Sequence, residues 1–154
     1  GRGFQQQMMQ FQDERLVGSY LASMGAKRAL DRTKDYLHQR HAFGKPLIAN
    51  HYLQYNLAEL IGEVDMLIEY NRLAAERFVR GEDVTRMVTI AKLKAGKLSR
   101  QVADAVVQYH GGMGYAEENW PARYARDARL ISIGGGADEV MLRVLALMEG
   151  MGKR

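Results

Sequence analysis

The chain has no cysteine, which excludes disulfides, thiolate nucleophiles and cysteine-ligated zinc together and leaves the redox compartment unread. Proline occurs only at Pro46 and Pro121. So few breakers, in a chain rich in Ala, Leu, Met, Glu, Lys, Arg and Gln, predict long helices. No apolar run approaches the roughly 18 residues that span a bilayer as a helix, so no membrane partner is read. The opening Gly-Arg-Gly-Phe, followed by glutamines and methionines, is not a signal peptide. Aromatics are sparse at 8% and not interleaved with the basic residues, so the net charge of +4 reads as solvated helix faces, with no nucleic-acid partner. No metal-ligand spacing and no Ser-His-Asp order is present. The four histidines, His38, His41, His51 and His110, fall near predicted helix ends and loops.

What is present describes a globular domain: 154 residues, 47% apolar and 26% charged, enough for one core. A helix is predicted over residues 12 to 39, with Leu16, Tyr20, Leu21, Met24, Leu30 and Leu37 inward and Asp13 and Glu14 in its first turn, where carboxylates suit the dipole. Residues 1 to 11 read as a short mixed tail, and residues 40 to 47, R-H-A-F-G-K-P-L, as a turn between antiparallel helices. A second helix is predicted over residues 51 to 80, with a stripe of Leu53, Leu57, Leu60, Ile61, Val64, Leu67, Ile68 and Phe78. The third, over residues 83 to 109, has the cleanest register: Val84, Val88, Ala91, Ala95, Leu98, Val102, Ala105 and Tyr109 alternate steps of four and three, the spacing of a bundle seam. A short helix is placed over residues 121 to 130, with Pro121 suited to its first position. A last helix covers residues 137 to 148, with Val140, Val144, Leu145 and Met148 inward. The predicted fold is all-α, an up-and-down four-helix bundle, its nine methionines serving as core filler.

The chain is organised around residues 108 to 139, Q-Y-H-G-G-M-G-Y-A-E-E-N-W-P-A-R-Y-A-R-D-A-R-L-I-S-I-G-G-G-A-D-E. Six of the 16 glycines lie here in two clusters, with Arg123, Arg126 and Arg129 between them. Glycine lets a backbone approach a ligand closely, and helix N-termini bind anions. The same clusters would equally serve as helix C-caps and tight turns.

Four motifs in order, R-x-A-F-G-K-P-L, Q-Y-H-G-G-M-G-Y, R-Y-x-R-D-A-R-L-I-x-I and G-G-G-A-D-E-V, resemble the C-terminal helical domain of the acyl-CoA dehydrogenase family over essentially the whole chain. The resemblance implies residues 1 to 11 as the exit from a preceding β-domain and residues 12 to 154 as the helical-bundle domain of a longer chain. The absent initiator methionine agrees with that expectation. It also implies FAD as cofactor, an acyl-CoA thioester as substrate, α,β-dehydrogenation as the reaction and an electron-transferring flavoprotein as acceptor. A homo-oligomer, dimer or tetramer, is implied, located in the cytoplasm of a bacterium or the mitochondrial matrix of a eukaryote.

The family chemistry removes a weakly acidic α-proton, so the site must hold a carboxylate base against the α-carbon and stabilise an enolate-like thioester oxygen. In many members the base lies in a Tyr-Glu-Gly-Thr segment. The matching segment here is Gly134-Gly135-Gly136-Ala137, with Gly135 at the glutamate position. The isovaleryl-CoA and long-chain acyl-CoA dehydrogenase branch instead carries its base on the first helix of the domain, and this chain reads Phe11-Gln12-Asp13-Glu14-Arg15 there. The resemblance thus assigns Glu14 as the base, and favours a branched or long acyl chain. Gln12, Asp13, Arg15, Gly135 and Gly136 match substrate-contacting positions. Arg40, Phe43, Gln108, Gly111 and Gly112 match positions facing a neighbouring subunit's FAD. His51 stands where a flavin-contacting glutamine is common, and Ala137, Asp138 and Glu139 match the segment touching the subunit's own FAD. Two other readings remain: a helical assembly module without chemistry, or a related flavoenzyme such as an acyl-CoA oxidase or a nitroalkane oxidase.

Overall fold

A computed structural model of the chain describes residues 1–152; the side chains of residues 4, 5, 8 and 9 lie outside that description, as do residues 153 and 154, the last two of the predicted domain. Three long helices, α1 (Gly3–Gln39), α2 (His51–Val79) and α3 (Thr85–His110), precede three short ones, α4 (Gly112–Tyr115), α5 (Trp120–Arg129) and α6 (Asp138–Met148). The all-α bundle is as predicted. Among the described residues the strands amount to one two-residue pair, His41–Ala42 with Lys45–Pro46.

Helix α1 begins at Gly3 rather than at residue 12. Residues 3–11, read as a mixed tail, are its first turns, because the Gln and Met residues there are good helix formers with no proline among them. Asp13 and Glu14 therefore sit roughly three turns into the helix, out of reach of the N-terminal dipole. The inward face also differs from the predicted one. The buried seam is Leu16, Ser19, Ser23, Ala26, Leu30, Thr33 and Leu37, in alternating steps of three and four, with Ala29 buried beside it. Tyr20, Leu21 and Met24 are 39%, 65% and 41% exposed. An apolar reading passes over this seam because small polar residues occupy three of its seven positions. Each meets its own need: Ser23 Oγ donates to Tyr20 O at 2.7 Å and Thr33 Oγ1 to Ala29 O at 2.8 Å. Ser19 Oγ lies 2.8 Å from Asn71 Oδ1 on α2. A buried hydroxyl bonded in this way costs little, and its small size lets the helices close up.

Helix α3 is the centre of the bundle and carries two seams. The predicted one is buried from Val84 to Val102 and half-buried at Ala105 and Tyr109. A second, Thr89, Lys92, Gly96, Ser99, Ala103, Val106 and His110, is buried in the same alternation, and it meets the glycine-rich segment through Lys92, Gly96 and His110. On α2, Leu57, Val64 and Leu67 are buried as predicted, whereas Phe78 is 43% exposed. On α6, Met141 is the buried apolar side chain, while Val140 and Met148 are 48% and 43% exposed. That register is fixed by Asp138, whose carboxylate is drawn towards α3 by Arg100.

At the other end of α3, His110 stacks on Tyr36 with centroids 4.1 Å apart, and Trp120 stands edge-on to it at 5.3 Å. The Arg32 guanidinium lies 4.2 Å over the Trp120 ring. Burial holds the His110 imidazole below its usual range and Arg32 pushes the same way, against a bond to the Val106 carbonyl. The folded state thus favours neutral His110, so the unfolded chain binds more protons as pH falls. The stability it contributes is complete above the unfolded value of about 6.5 and is lost as pH falls from there. Thermal unfolding of the full-length protein should therefore weaken below about pH 6.5 by more than in His110→Phe, which keeps a ring but does not titrate. Parallel curves for the two proteins would contradict this.

Candidate functional site

The turn formed by Gly134, Gly135 and Gly136 lies against α1. Arg15 Nε donates to Gly135 O at 2.7 Å across 120 positions of sequence, and from α3 the Lys92 ammonium donates to Gly136 O. Gly135 and Gly136 have φ of 66° and 112°, a region that glycine reaches without strain. A Cβ on Gly135 would meet only Arg15 Cγ, at an ordinary 3.7 Å, whereas one on Gly136 would fall 2.6 Å from Met141 Cε. Glu14, next to Arg15, is exposed, and its Oε1 accepts from Gln10 Nε2 at 3.1 Å. Asp13 is also exposed, and Gln12 is half-buried with Oε1 lacking a partner among the described residues. Burial pushes the Lys92 ammonium below its usual range, Arg15 adds to that, and Asp138 and Glu139 oppose it. Burial likewise lowers Arg15.

Past the turn, Ala137 is the N-cap of α6 and Asp138 and Glu139 fill its first turn. Glu139 is exposed, but Asp138 is 6% exposed, with Oδ2 accepting from Arg100 Nη2 at 3.0 Å. Its other oxygen and Ser132 Oγ have no partner among the described residues. Both crowd Gly96, where a Cβ would come 2.9 Å from each. The Asp138 side chain is therefore committed to α3, and what this stretch offers outward is the start of α6 and Glu139.

The remaining predicted residues gather at the other end of α1. Arg40, its C-cap, is extended and exposed, and no carboxylate among the described residues pairs with it. Phe43 is fully exposed with φ of 53°, followed by Gly44 at 77°; a non-glycine residue held there is strained, and such strain clusters at functional sites. His51 opens α2, exposed and stacked on Tyr55 at 5.8 Å. Gln108 lines an open groove of about 320 Å³ with Tyr52, Asn56 and Tyr109. Gly111 has φ of 59° and ψ of −142°, and a Cβ on Gly111 or Gly112 would meet nothing within 4 Å. Arg40 lies 26 residues beyond Glu14 on one continuous helix, roughly 39 Å away. One small group cannot touch both.

Residues 1–148 match the family described as acyl-CoA dehydrogenase, C-terminal domain. The chain belongs to that family. It is 32% identical to the long-chain specific acyl-CoA dehydrogenase of Sus scrofa mitochondria, over 94% of this chain and 34% of that protein. It is 34% identical to the short-chain specific acyl-CoA dehydrogenase of Megasphaera elsdenii, over 94% of this chain and 38% of that one. A crystal structure of an acyl-CoA dehydrogenase from Geobacillus kaustophilus superposes with a TM-score of 0.94 at 33% identity, covering 97% of this chain and 39% of its own. The chain thus spans about two fifths of the length of the dehydrogenases it matches.

Within this dehydrogenase domain Lys92 and Arg100 are the residues near the turn for which the sequence pattern carries no expectation. A charge at a heptad position, between Thr89 and Gly96 on the second seam of α3, was the available signal, since lysine is almost never fully buried without a task.

Proposed function

We propose that this chain is the C-terminal domain of an FAD-dependent acyl-CoA dehydrogenase in which Glu14 abstracts the α-proton of an acyl-CoA thioester. The observation that supports the reading is the bond to Gly135 O from Arg15, the residue that follows Glu14 on α1; the turn it reaches has no side chain where many relatives of this kind carry their base. Gln12, Asp13 and Arg15 on α1 and Gly135 and Gly136 on the turn then border the acyl thioester, with backbone N–H groups as donors to an oxygen that gains charge. The absence of a side chain at Gly135, where a Cβ would be in no more than ordinary contact with Arg15 Cγ at 3.7 Å, supports a branched or long acyl chain.

The residues fit an FAD shared between subunits. The start of α6, with Ala137, Asp138 and Glu139, would meet the subunit's own flavin through backbone donors and Glu139, the Asp138 carboxylate being held by Arg100. Arg40, Phe43, His51, Gln108, Gly111 and Gly112, roughly 39 Å along α1 from Glu14, would meet a second FAD belonging to a partner subunit. An exposed arginine without a carboxylate partner among the described residues, an exposed strained aromatic and two glycines with open flanks suit a pyrophosphate and ring system. A bound FAD would supply the hydride acceptor for the β-hydrogen. A homo-oligomer follows from this sharing, and an electron-transferring flavoprotein would take the electrons on. The compartment would be the cytoplasm in a bacterium or the mitochondrial matrix in a eukaryote. Oxidation of a panel of straight and branched acyl-CoAs by the full-length protein, with an artificial electron acceptor, tests the activity. Absence of turnover with every acyl-CoA would favour an assembly role for the bundle.

Arg40→Ala in the full-length protein should lower retained FAD several-fold on gel filtration, since a bidentate pyrophosphate partner is removed. Unchanged flavin content with an unchanged oligomer would exclude the shared-cofactor assignment of Arg40.

A further inference from the structure

Lys92 is 3% exposed on the second seam of α3, where Leu or Met would fill the space without removing a charge from water. Its ammonium has three donors. Among the described residues its acceptor is the Gly136 carbonyl, and no carboxylate lies within ion-pair distance. Burial of such a group is unfavourable, so packing does not account for it. Its acceptor does: Arg15 bonds the Gly135 carbonyl from α1, and Lys92 bonds the next carbonyl of the same turn from α3. Three successive glycines have more conformational freedom to lose than any other triplet, and Gly134 and Gly135 are exposed. Two cations on two helices, with the Asp138 to Arg100 pair just beyond, fix a segment that its own sequence leaves free. A cation at a peptide carbonyl also strengthens the N–H of that peptide as a donor; for Gly136 O this is the N–H of Ala137.

We infer that Lys92 is a positioning residue for α-proton abstraction. Acting through the Gly136 carbonyl, it holds the Gly134 to Gly136 turn, and the thioester lying on it, in register with Glu14 on α1. The inference rests on the reading of the site given above. It requires that the loss of Lys92 affect the chemical step more than binding, because misplacement by about 1 Å costs up to roughly 10²-fold in rate.

The test uses the full-length flavin-loaded enzyme with Lys92→Met, which keeps the stem and removes the ammonium, and Lys92→Arg, which keeps the charge. Flavin content, thermal midpoint, KM for acyl-CoA and kcat per bound flavin are read for each. We expect kcat per bound flavin to fall about 10- to 100-fold in Lys92→Met, with KM within about threefold, and to recover in part in Lys92→Arg. If Lys92→Met does not load flavin, Lys92→Gln, which keeps one donor, is read by the same ratio. Loss confined to flavin content and thermal midpoint, with kcat per bound flavin unchanged, would make Lys92 merely structural and overturn the inference, as would equal loss in Met and Arg. A fully active Glu14→Gln would overturn the assignment of the base instead, leaving the Lys92 ratio to be read against another carboxylate.

Discussion

Glu14→Gln in the full-length protein should still bind acyl-CoA and should slow flavin reduction by at least about 10²–10⁴-fold, the usual size of a lost general base. The amide keeps the shape and the bond to Gln10 but cannot accept the proton. Adding Gly135→Glu to Glu14→Gln should return part of the rate, because Arg15, next to Glu14 on α1, bonds the Gly135 carbonyl and a Cβ on Gly135 meets no closer atom among the described residues than Arg15 Cγ at 3.7 Å. Recovery is expected to be incomplete. Gly135 has φ of 66°, which a glutamate adopts only under strain, and the new side chain would occupy the space assigned to the acyl chain, most of all with branched or bulky substrates. Activity near the wild-type level in Glu14→Gln alone would transfer the role to Asp13 or to a residue outside this domain.

Gly114→Ala should destabilise the protein by at least about 2–3 kcal/mol, a fall of roughly 4–12 °C in the thermal midpoint at this domain size. A Cβ there would lie 2.3 Å from Val107 O and 2.9 Å from His110 Cβ. One of these is backbone of the central helix, which cannot give way. Gly112→Ala should behave oppositely. Its Cβ meets nothing within 4 Å, so stability should stay within about 0.5 kcal/mol while FAD retention falls. Comparison of thermal midpoint and flavin content in the two variants decides what each glycine does. Equal effects would remove the distinction.

That distinction could not be made from the sequence, where Gly111, Gly112 and Gly114 are one cluster open to two interpretations. Turn geometry at Gly111 and close packing at Gly114 are separate physical demands, and the residue type is the same for both. The long helices were legible because period and missing breakers are local properties. The cleanest pattern, from Val84 to Val102, was read correctly because its residues are apolar as well as periodic. The α1 seam was misread for the converse reason: Ser19, Ser23 and Thr33 are small and polar, and only their backbone and cross-helix bonds reveal that burial suits them. The start of α1 was missed because a run of Gln and Met carries propensity without amphipathic contrast.

At the site, motif order singled out Arg15 and Gly135, 120 positions apart, which the fold brings into hydrogen-bond contact. Motif order gave no indication that the Asp138 carboxylate turns inward to Arg100, since the burial of a helix's first residue depends on what it packs against. Nor did it indicate Lys92, whose role exists only once α3 and the turn are in contact.

Exchange of the acyl α-hydrogen is the most direct test of Glu14. The full-length enzyme and its Glu14→Gln variant are incubated in D2O with acyl-CoA, anaerobically and without an electron acceptor, and α-deuterium in the recovered thioester is measured by mass spectrometry. The wild type should incorporate deuterium. The variant should bind the thioester and incorporate none above the uncatalysed level. Incorporation at the wild-type rate in Glu14→Gln would contradict the assignment of Glu14 as the base.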